Sequence, residues 1–473
     1  MISYKENYDV VIIGAGPAGI FTALGLLRHW PDVKALIVDA GKSIKTRSCP
    51  ARITGVCVHC QPCNIMHGWA GAGAFSDGKL SLSHEVGGHI ASYLGEARAN
   101  ELIQEADGIY LKFGAGETVH GLNNRYVDEI QYEASKHNIK LVPCPVRHLG
   151  TENSAKVLGA MEDFIQHETN IEFRELTNAS NILIENNRAV GIMLKPRRGE
   201  EYAVSAKHIV AAPGRGGADW LTKEVQRLGL KTSNNEVDIG VRVEVPNAIM
   251  DHLTKHLYEA KLVYYSDTYE NKVRTFCMNP GGEVSQEYYE GGIAVVNGHS
   301  YDDESLRTKN TNFAMLVSTT FTEPFNQPIE YGRYIAQLAN MLTGGPIMVQ
   351  RLGDLLKGRR TTVKRLERST TVPTLTTAVP GDLSFVLPPR HLTSIVEALK
   401  AFDNIAPGLY SKNTLLYGVE VKFYSSKVMV DNHFQTAIKG LYCIGDGAGV
   451  TRGLMQASAT GLSVAQTVSK LKA

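Results

Sequence analysis

The sequence predicts an α/β fold: a Rossmann-like nucleotide-binding domain built from discontinuous segments, with a mixed α/β domain inserted among them. Three observations carry this. The segment Asp9-Val-Val-Ile-Ile-Gly14-Ala-Gly16-Pro-Ala-Gly19 is an apolar strand that breaks into glycines and then a helix. A second such segment, Gly440-Leu-Tyr-Cys-Ile-Gly445-Asp446-Gly447-Ala-Gly449, follows more than 400 residues later. Between them Ala206-Lys-His-Ile-Val-Ala-Ala-Pro213-Gly214-Arg-Gly216-Gly217 is another buried strand ending in glycines, which returns the chain to the first sheet.

At the first segment each glycine has its own task. Gly14 permits a tight turn, Gly16 lets backbone N–H groups approach a pyrophosphate, and Gly19 allows close packing of strand and helix. The Ala/Leu-rich helix from about Pro17 to His29 then aims its positive end at the phosphates. A second strand, Ala35-Leu-Ile-Val-Asp39, ends in a carboxylate twenty residues past Gly19, where an acid accepts hydrogen bonds from an adenosine ribose. The predicted ligand is a dinucleotide.

Onward from Gly41 an irregular stretch rich in Cys and Gly runs to about Gly88. Helices are expected at 90–111 and 125–137, and strands at 139–146, 171–176, 182–185 and 189–194, the last two joined as a hairpin at Asn186-Asn187-Arg188. From about Leu230 to Pro380 the texture changes to strand alternation with many tyrosines (Tyr258, Tyr264, Tyr265, Tyr269, Tyr288, Tyr289), a helix near 331–342, and a basic run at Arg351, Arg359, Arg360, Lys364 and Arg365. The tyrosines read as half-buried sheet or a substrate pocket, the basic run as a solvated face or a means of capturing an anionic substrate. The expected division is a dinucleotide-binding part at 1–224 with the Cys-rich loop 41–88, an inserted substrate domain at 225–380, and the rest of the dinucleotide-binding domain at 381–473.

A chain of 473 residues, 43% hydrophobic, 21% charged and with a formal charge of +1, is expected to be a globular protein of two or three domains. That balance calls for neither nucleic acid nor an anionic membrane as partner. The apolar run Val10 to Leu27 carries glycines and Pro17 at nucleotide-binding spacing and has no basic region with a cleavage site before it. It is therefore read as neither signal peptide nor anchor, and a cytoplasmic location is expected.

The C-terminal segment narrows the ligand to FAD. Gly445-Asp446 lies at a strand end, and Thr451-Arg-Gly-Leu-Met455-Gln456-Ala-Ser opens a helix rich in small residues. This arrangement resembles the second FAD motif of the two-dinucleotide-binding flavoproteins, the superfamily that includes glutathione reductase. The resemblance implies that Asp446 hydrogen-bonds the ribityl chain and that the helix start, with Met455 and Gln456, faces the pyrimidine end of the flavin. A helix dipole near N1 and the C2 carbonyl stabilises the negative charge of reduced flavin. The segments Gly71-Ala-Gly-Ala-Phe-Ser-Asp77-Gly-Lys79-Leu, Asn297-Gly-His299-Ser, Asn310-Thr-Asn-Phe-Ala and Tyr417-Gly-Val-Glu420-Val-Lys422-Phe-Tyr further resemble the bacterial FAD-dependent dehydrogenase family, or NAD(FAD)-utilising dehydrogenases. The similarity extends over nearly the whole chain. That family name records a cofactor and leaves the substrate open.

Four of the seven cysteines, Cys49, Cys57, Cys60 and Cys63, fall within fifteen residues. Such clustering in a cytosolic protein favours metal or redox chemistry over structural disulfides. The triplet C-x2-C-x2-C with a separate Cys-Pro resembles the ligand set of a ferredoxin-type [4Fe–4S] cluster, although the Cys-Pro here precedes the triplet at short range. A redox-active thiol pair, a structural zinc and inert cysteines are the other readings.

For proton chemistry the candidates are Lys79, placed by resemblance near flavin N5; Glu420 and Lys422, alternating on one face of a strand; and His299 on a loop. Arg242, between Val241 and Val243, is a candidate for a salt bridge or a substrate carboxylate. The expected activity is hydride transfer between a small organic substrate and flavin. The flavin would be regenerated by the cysteine-borne centre, by a transiently bound NAD(P)H or by an external electron carrier. No second nucleotide fingerprint marks a dedicated NAD(P)H domain. The rival expectations are a flavin-dependent thiol–disulfide reductase and a non-enzymatic binding protein with this fold.

Overall fold

The computed structural model describes residues 3–50, 58–122, 125–233, 235–289, 292–301, 303–321, 324–325, 327–422 and 426–472, without the side chains of 151 and 152. The chain divides into two compact units. One comprises Met1–Thr118, Arg147–Asn235 and Ser425–Ala473, the other Val119–Val146 and Glu236–Tyr424.

The first unit is built on a seven-stranded sheet. Its middle is Tyr4–Ile13, paired in parallel with Ala35–Val38 on one side and Tyr202–Ala211 on the other. Glu172–Arg174 extends the sheet in parallel beyond Ala35–Val38, and Leu441–Cys443 pairs in parallel with Tyr202–Ala211. Thr177–Glu185 and Arg188–Pro196 form the expected hairpin, turning through Asn186 and Asn187, both at positive φ, and joining antiparallel to Tyr202–Ala211. Val10, Val11 and Ile12 are wholly buried, as befits parallel strands covered on both faces, each contributing roughly 1.5–3 kcal/mol of apolar burial. The register sets Ile13 beside Val38 and Ala211, and Cys443 beside Ala211. Gly14, Asp39, Pro213-Gly214 and Gly445 therefore all leave the same carboxyl edge of the sheet, the edge at which such folds bind ligands.

Helix Pro17–His29 and the C-terminal helix Leu454–Lys470 pack against each other in this unit. Glycines permit the close approach: a Cβ on Gly25 would lie 2.7 Å from that of Ala465. The mixed α/β class expected from the sequence is what the structure has.

The second unit carries an eight-stranded sheet in the order Val379–Pro380, Met348–Arg351, Leu415–Lys422, Val237–Pro246, Asn310–Thr319, Lys272–Asn279, Lys261–Tyr265, Lys140–Val142. All neighbours are antiparallel except the first two. Helices Asn247–Leu257, Pro328–Thr343 and Pro389–Phe402 bury apolar faces in its core. Among the tyrosines noted in the sequence, Tyr264 is buried here whereas Tyr265, Tyr269 and Tyr288 are exposed.

The division differs from the expected 225–380 insert. Leu415–Lys422 pairs on both sides within the second sheet, so the second unit runs to Tyr424 and takes Glu420 and Lys422 with it. Residues 119–146 join it as well, because Lys140–Val142 caps the sheet edge. Two elements are shorter than expected. The helix at 90–111 breaks at Gly95, φ +78°, into Ile90–Leu94 and Glu96–Lys112. The strand at 139–146 stops at Val142, because Pro143 and Pro145 have no N–H to continue a ladder. No helix among the described residues is long and apolar enough to cross a membrane.

Candidate functional site

In the first unit the turn after Tyr4–Ile13 requires its glycines. Gly14 has φ +102°, and a Cβ there would run into the carbonyl oxygen of Ala212. A Cβ on Gly19 would strike the carbonyl oxygen of Gly14. Gly16 differs: it is the N-cap of Pro17–His29 with ordinary extended angles, no side chain caps the helix, and a Cβ there would meet nothing within 4 Å. The positive end of a thirteen-residue helix thus opens onto free space, which suits a phosphate.

Asp39 is drawn back toward that turn. Its Oδ2 accepts from the Ala15 N–H at 2.9 Å, and its Oδ1 from Gly41 at 2.8 Å and Gly68 at 2.6 Å. Three backbone donors fix the carboxylate as a junction of three segments, and a lone pair remains on Oδ2 for one further donor such as a ribose hydroxyl.

At the C-terminal motif Gly445 adopts φ +75°, with Ala18 Cβ 3.1 Å from where its own Cβ would sit. The two glycine motifs are therefore neighbours. Asp446 Oδ1 accepts from Thr451 Oγ1 at 2.6 Å, and its Oδ2 lies 3.9 Å from Arg215 Nε. A Cβ on Gly447 would press on the backbone of Gly214, 3.0 Å from its nitrogen, so the Pro213–Gly217 turn also reaches this edge. Helix Leu454–Lys470 starts after Gly453, again without a side-chain cap.

The side chains of Met455 and Gln456 are both engaged within the protein. Met455 is 2% exposed and lies within the core cluster. Gln456 Nε2 donates to the carbonyls of His84 and Val86, both at 2.9 Å, while its Oε1 accepts from Ile90 N–H at 3.1 Å. Its amide is committed to holding 84–90 over the helix start, where Arg452 N–H also donates to Gly87 O at 2.8 Å.

The Cys-rich stretch is organised by Arg47, which sequence reasoning passed over. Arg47 is 7% exposed and donates to the backbone carbonyls of Asn64, Ile65, Trp69 and Gly71, with its guanidinium over the Phe75 ring. Burial pushes its pKa down to about 10 against the opposing pull of Asp39 and Cys63. Among the described residues no three His, Cys, Asp or Glu side chains gather as metal ligands. Cys49 and Cys60 are partly exposed and Cys63 exposed, all as free thiols, and Cys57 lies outside the described residues. Among the described residues the expected iron–sulfur cluster thus has no ligand group, and its remaining expected ligand lies outside them. Lys79, 9% exposed, sits 3.2 Å from Asp77 Oδ2 in the same unit.

The second unit holds the remaining candidates. Arg242, with no exposure, donates from Nε to Glu420 Oε2 at 2.8 Å and from Nη2 to Glu420 Oε1 at 2.9 Å, a bidentate pair. Lys422 Nζ stands 2.9 Å from the same Oε1. Around them Asn312 Oδ1 accepts from Arg242 Nη1 at 2.7 Å, and Asn297 bridges Arg242 to Glu287. Burial alone would raise the Glu420 pKa, but the charges of Arg242 and Lys422 outweigh it and hold the carboxyl below its usual range. Gly298 has no room for a side chain, since a Cβ would lie 2.6 Å from Asn279 Nδ2. His299 is exposed at the end of Ile293–His299, opposite Glu283.

The family model described as "FAD-dependent protein, C-terminal domain-like" matches residues 236–423, close to the second unit. An "Uncharacterized protein" of Clostridium beijerinckii is 27% identical over 489 residues, covering 97% of this chain and 80% of that protein. Among solved structures, formate oxidase is similar at a TM-score of 0.46 and 11% identity, over 99% of each chain. The 3-ketosteroid-Δ4-(5α)-dehydrogenase of Rhodococcus jostii RHA1 is similar at 0.45 and 13%, over 99% of this chain and 98% of that one. Glycine oxidase of Bacillus cereus follows at 0.41 and 14%, over 98% and 96%.

Proposed function

We propose that the protein is an FAD-dependent oxidoreductase acting on a small organic substrate, with FAD held by the first unit. The observation that carries this reading is the uncapped start of Pro17–His29 behind Gly14, with open space at Gly16 and Asp39 fixed beside it. The described family of residues 236–423 supports the same cofactor. On this reading the helix start and the Gly14–Gly19 turn bind the pyrophosphate, Asp39 receives a ribose hydroxyl, and Asp446 receives the ribityl chain. The uncapped start of Leu454–Lys470 would favour negative charge on the isoalloxazine. The flavin, when bound, supplies hydride acceptance and return at N5.

Of the candidate side chains in the second unit, Glu420, expected to act on protons, and Arg242, expected to form a salt bridge or bind a carboxylate, are both sealed from solvent, so they position rather than touch a substrate. Lys422, 12% exposed and pinned by Glu420, offers an oriented ammonium suited to an anionic group. Lys79 and His299 remain proposals for proton transfer.

The test exploits Gly16. A side chain there has ordinary backbone angles and a Cβ with nothing within 4 Å, so Gly16→Val is expected to fold, yet its side chain fills the phosphate space. Wild-type protein is expected to carry FAD with its visible band and the variant to lack it while melting at the temperature of wild-type protein stripped of FAD. A variant that keeps full FAD occupancy would remove the reading.

A second reading, a flavin-linked thiol–disulfide reductase, rests on Cys63, which is exposed and close enough to Arg47 to interact with its charge. Thiol titration before and after flavin reduction separates it: two extra thiols per chain after reduction support it, and an unchanged count removes it.

A further inference from the structure

The whole-chain charge of +1 conceals a concentration of cations in the second unit. Residues 351–368 hold seven Lys or Arg and two acids, a net +5. The fold gathers three of them around one buried carboxylate. Asp354, with no exposure, receives Arg359 Nε at 2.9 Å and Thr361 Oγ1 at 2.9 Å, with Arg351 and Arg365 each 4.0 Å away. Arg351 Nη1 also donates to the Arg365 carbonyl and Arg365 Nη1 to the Arg360 carbonyl, closing the segment into a knuckle.

That single acid is consumed by three guanidinium groups. Lys357, Arg360, Lys364 and Arg368 are exposed and have no carboxylate partner among the described residues. Between these cations stand apolar side chains turned to water: Leu356 is 46% exposed and Val363 60%. Phe385, 71% exposed, rides on the adjoining segment, which is tied on by Thr361 N–H to Gly381 O at 3.0 Å and Arg360 Nη2 to Pro380 O at 3.3 Å.

We propose that this knuckle docks the protein reversibly on an anionic lipid bilayer. Unpaired cations near a negatively charged surface each contribute about 1 kcal/mol, and isolated apolar side chains set among them enter the headgroup boundary. A protein partner would call for a continuous apolar centre with charges at the rim, and a soluble polyanion would give Leu356, Val363 and Phe385 nothing to bury. The proposal is independent of the flavin reading.

Flotation of the full-length protein with phosphatidylcholine vesicles, with and without phosphatidylglycerol, tests it. Binding is expected only to the anionic vesicles and is released by high salt. Lys364→Gln with Arg368→Gln should weaken it about 30-fold, the loss for two interfacial cations. Leu356→Ser with Phe385→Ser should weaken it too, at unchanged melting temperature. Absence of flotation on anionic vesicles overturns the proposal. So does flotation that survives both pairs of substitutions, or flotation that only the charge pair affects, accompanied by equal retention on heparin, which assigns the knuckle to a soluble polyanion.

Discussion

Gly461 in the C-terminal helix lies directly against Ala18 in the first: a Cβ on Gly461 would run into the Ala18 carbonyl oxygen and stand 2.7 Å from the Thr22 nitrogen. Backbone contact across 443 residues of sequence is what brings the two glycine motifs to one edge of one sheet. It leaves no soft side chain to yield.

Gly461→Val should therefore destabilise the first unit by about 3 kcal/mol or more, since overpacking against backbone cannot be relieved by a rotamer change. FAD occupancy should fall with it. Urea denaturation gives the stability, and a loss below about 1 kcal/mol would mean the helices can separate freely.

Replacing Glu420 with Gln leaves Arg242 and Lys422 without their shared carboxylate in a buried setting. Breaking such a group from one side should cost about 3–5 kcal/mol. Equilibrium unfolding of the variant at neutral pH measures it. Near-wild-type stability would show that water reaches the centre and solvates the two cations.

Stability should decline as the solution is acidified from neutrality. His208 and His391 are each almost fully buried, and burial, helped by Arg188 and Lys207 for the first and Arg390 for the second, pushes their pKa from 6.5 down to about 4. Above pH 6.5 both are neutral whether folded or unfolded. Between about 6.5 and about 4 the unfolded chain binds protons that the folded chain refuses, so stability is lost as pH falls, by up to about 3 kcal/mol for each. His208→Phe should lose about 2 kcal/mol less than wild type between pH 7 and pH 5; an identical decline would assign the effect elsewhere.

Gln456→Leu removes both donors and the acceptor that hold residues 84–90. Amide exchange of that segment should speed up by about 10-fold or more while the parallel sheet keeps its protection. Unchanged exchange at Ile90 would show that two backbone bonds, Arg452 N–H to Gly87 O and His89 N–H to Val450 O, hold the segment by themselves.

How much of this was legible beforehand depended on range. Gly14, Gly16, Gly19 and Asp39 could be read because their spacing expresses a local strand–turn–helix, and Gly445 and Asp446 for the same reason. Gln456 was assigned to the ligand because its position near a helix start is visible in sequence, whereas its partners His84, Val86 and Ile90 are about 370 residues away. Arg47 carried no signal: its partners are backbone carbonyls, which every residue has. Of the cysteines, conspicuous by spacing, Cys63 directly precedes the stretch Asn64–Gly71 that this arginine holds.

The sequence by itself determined the parallel strands of the first sheet and the glycine turns that follow them, since these follow from apolar periodicity and from backbone positions that only glycine fits. Only the tertiary structure decided where the chain divides, which cations find a carboxylate and which stay unpaired, because pairing depends on strands brought together from distant positions. Leu415–Lys422 is the clearest case. Its composition suits either unit, and hydrogen bonding to Val237–Pro246 and Met348–Arg351 assigned it, with Glu420 and Lys422, to the second.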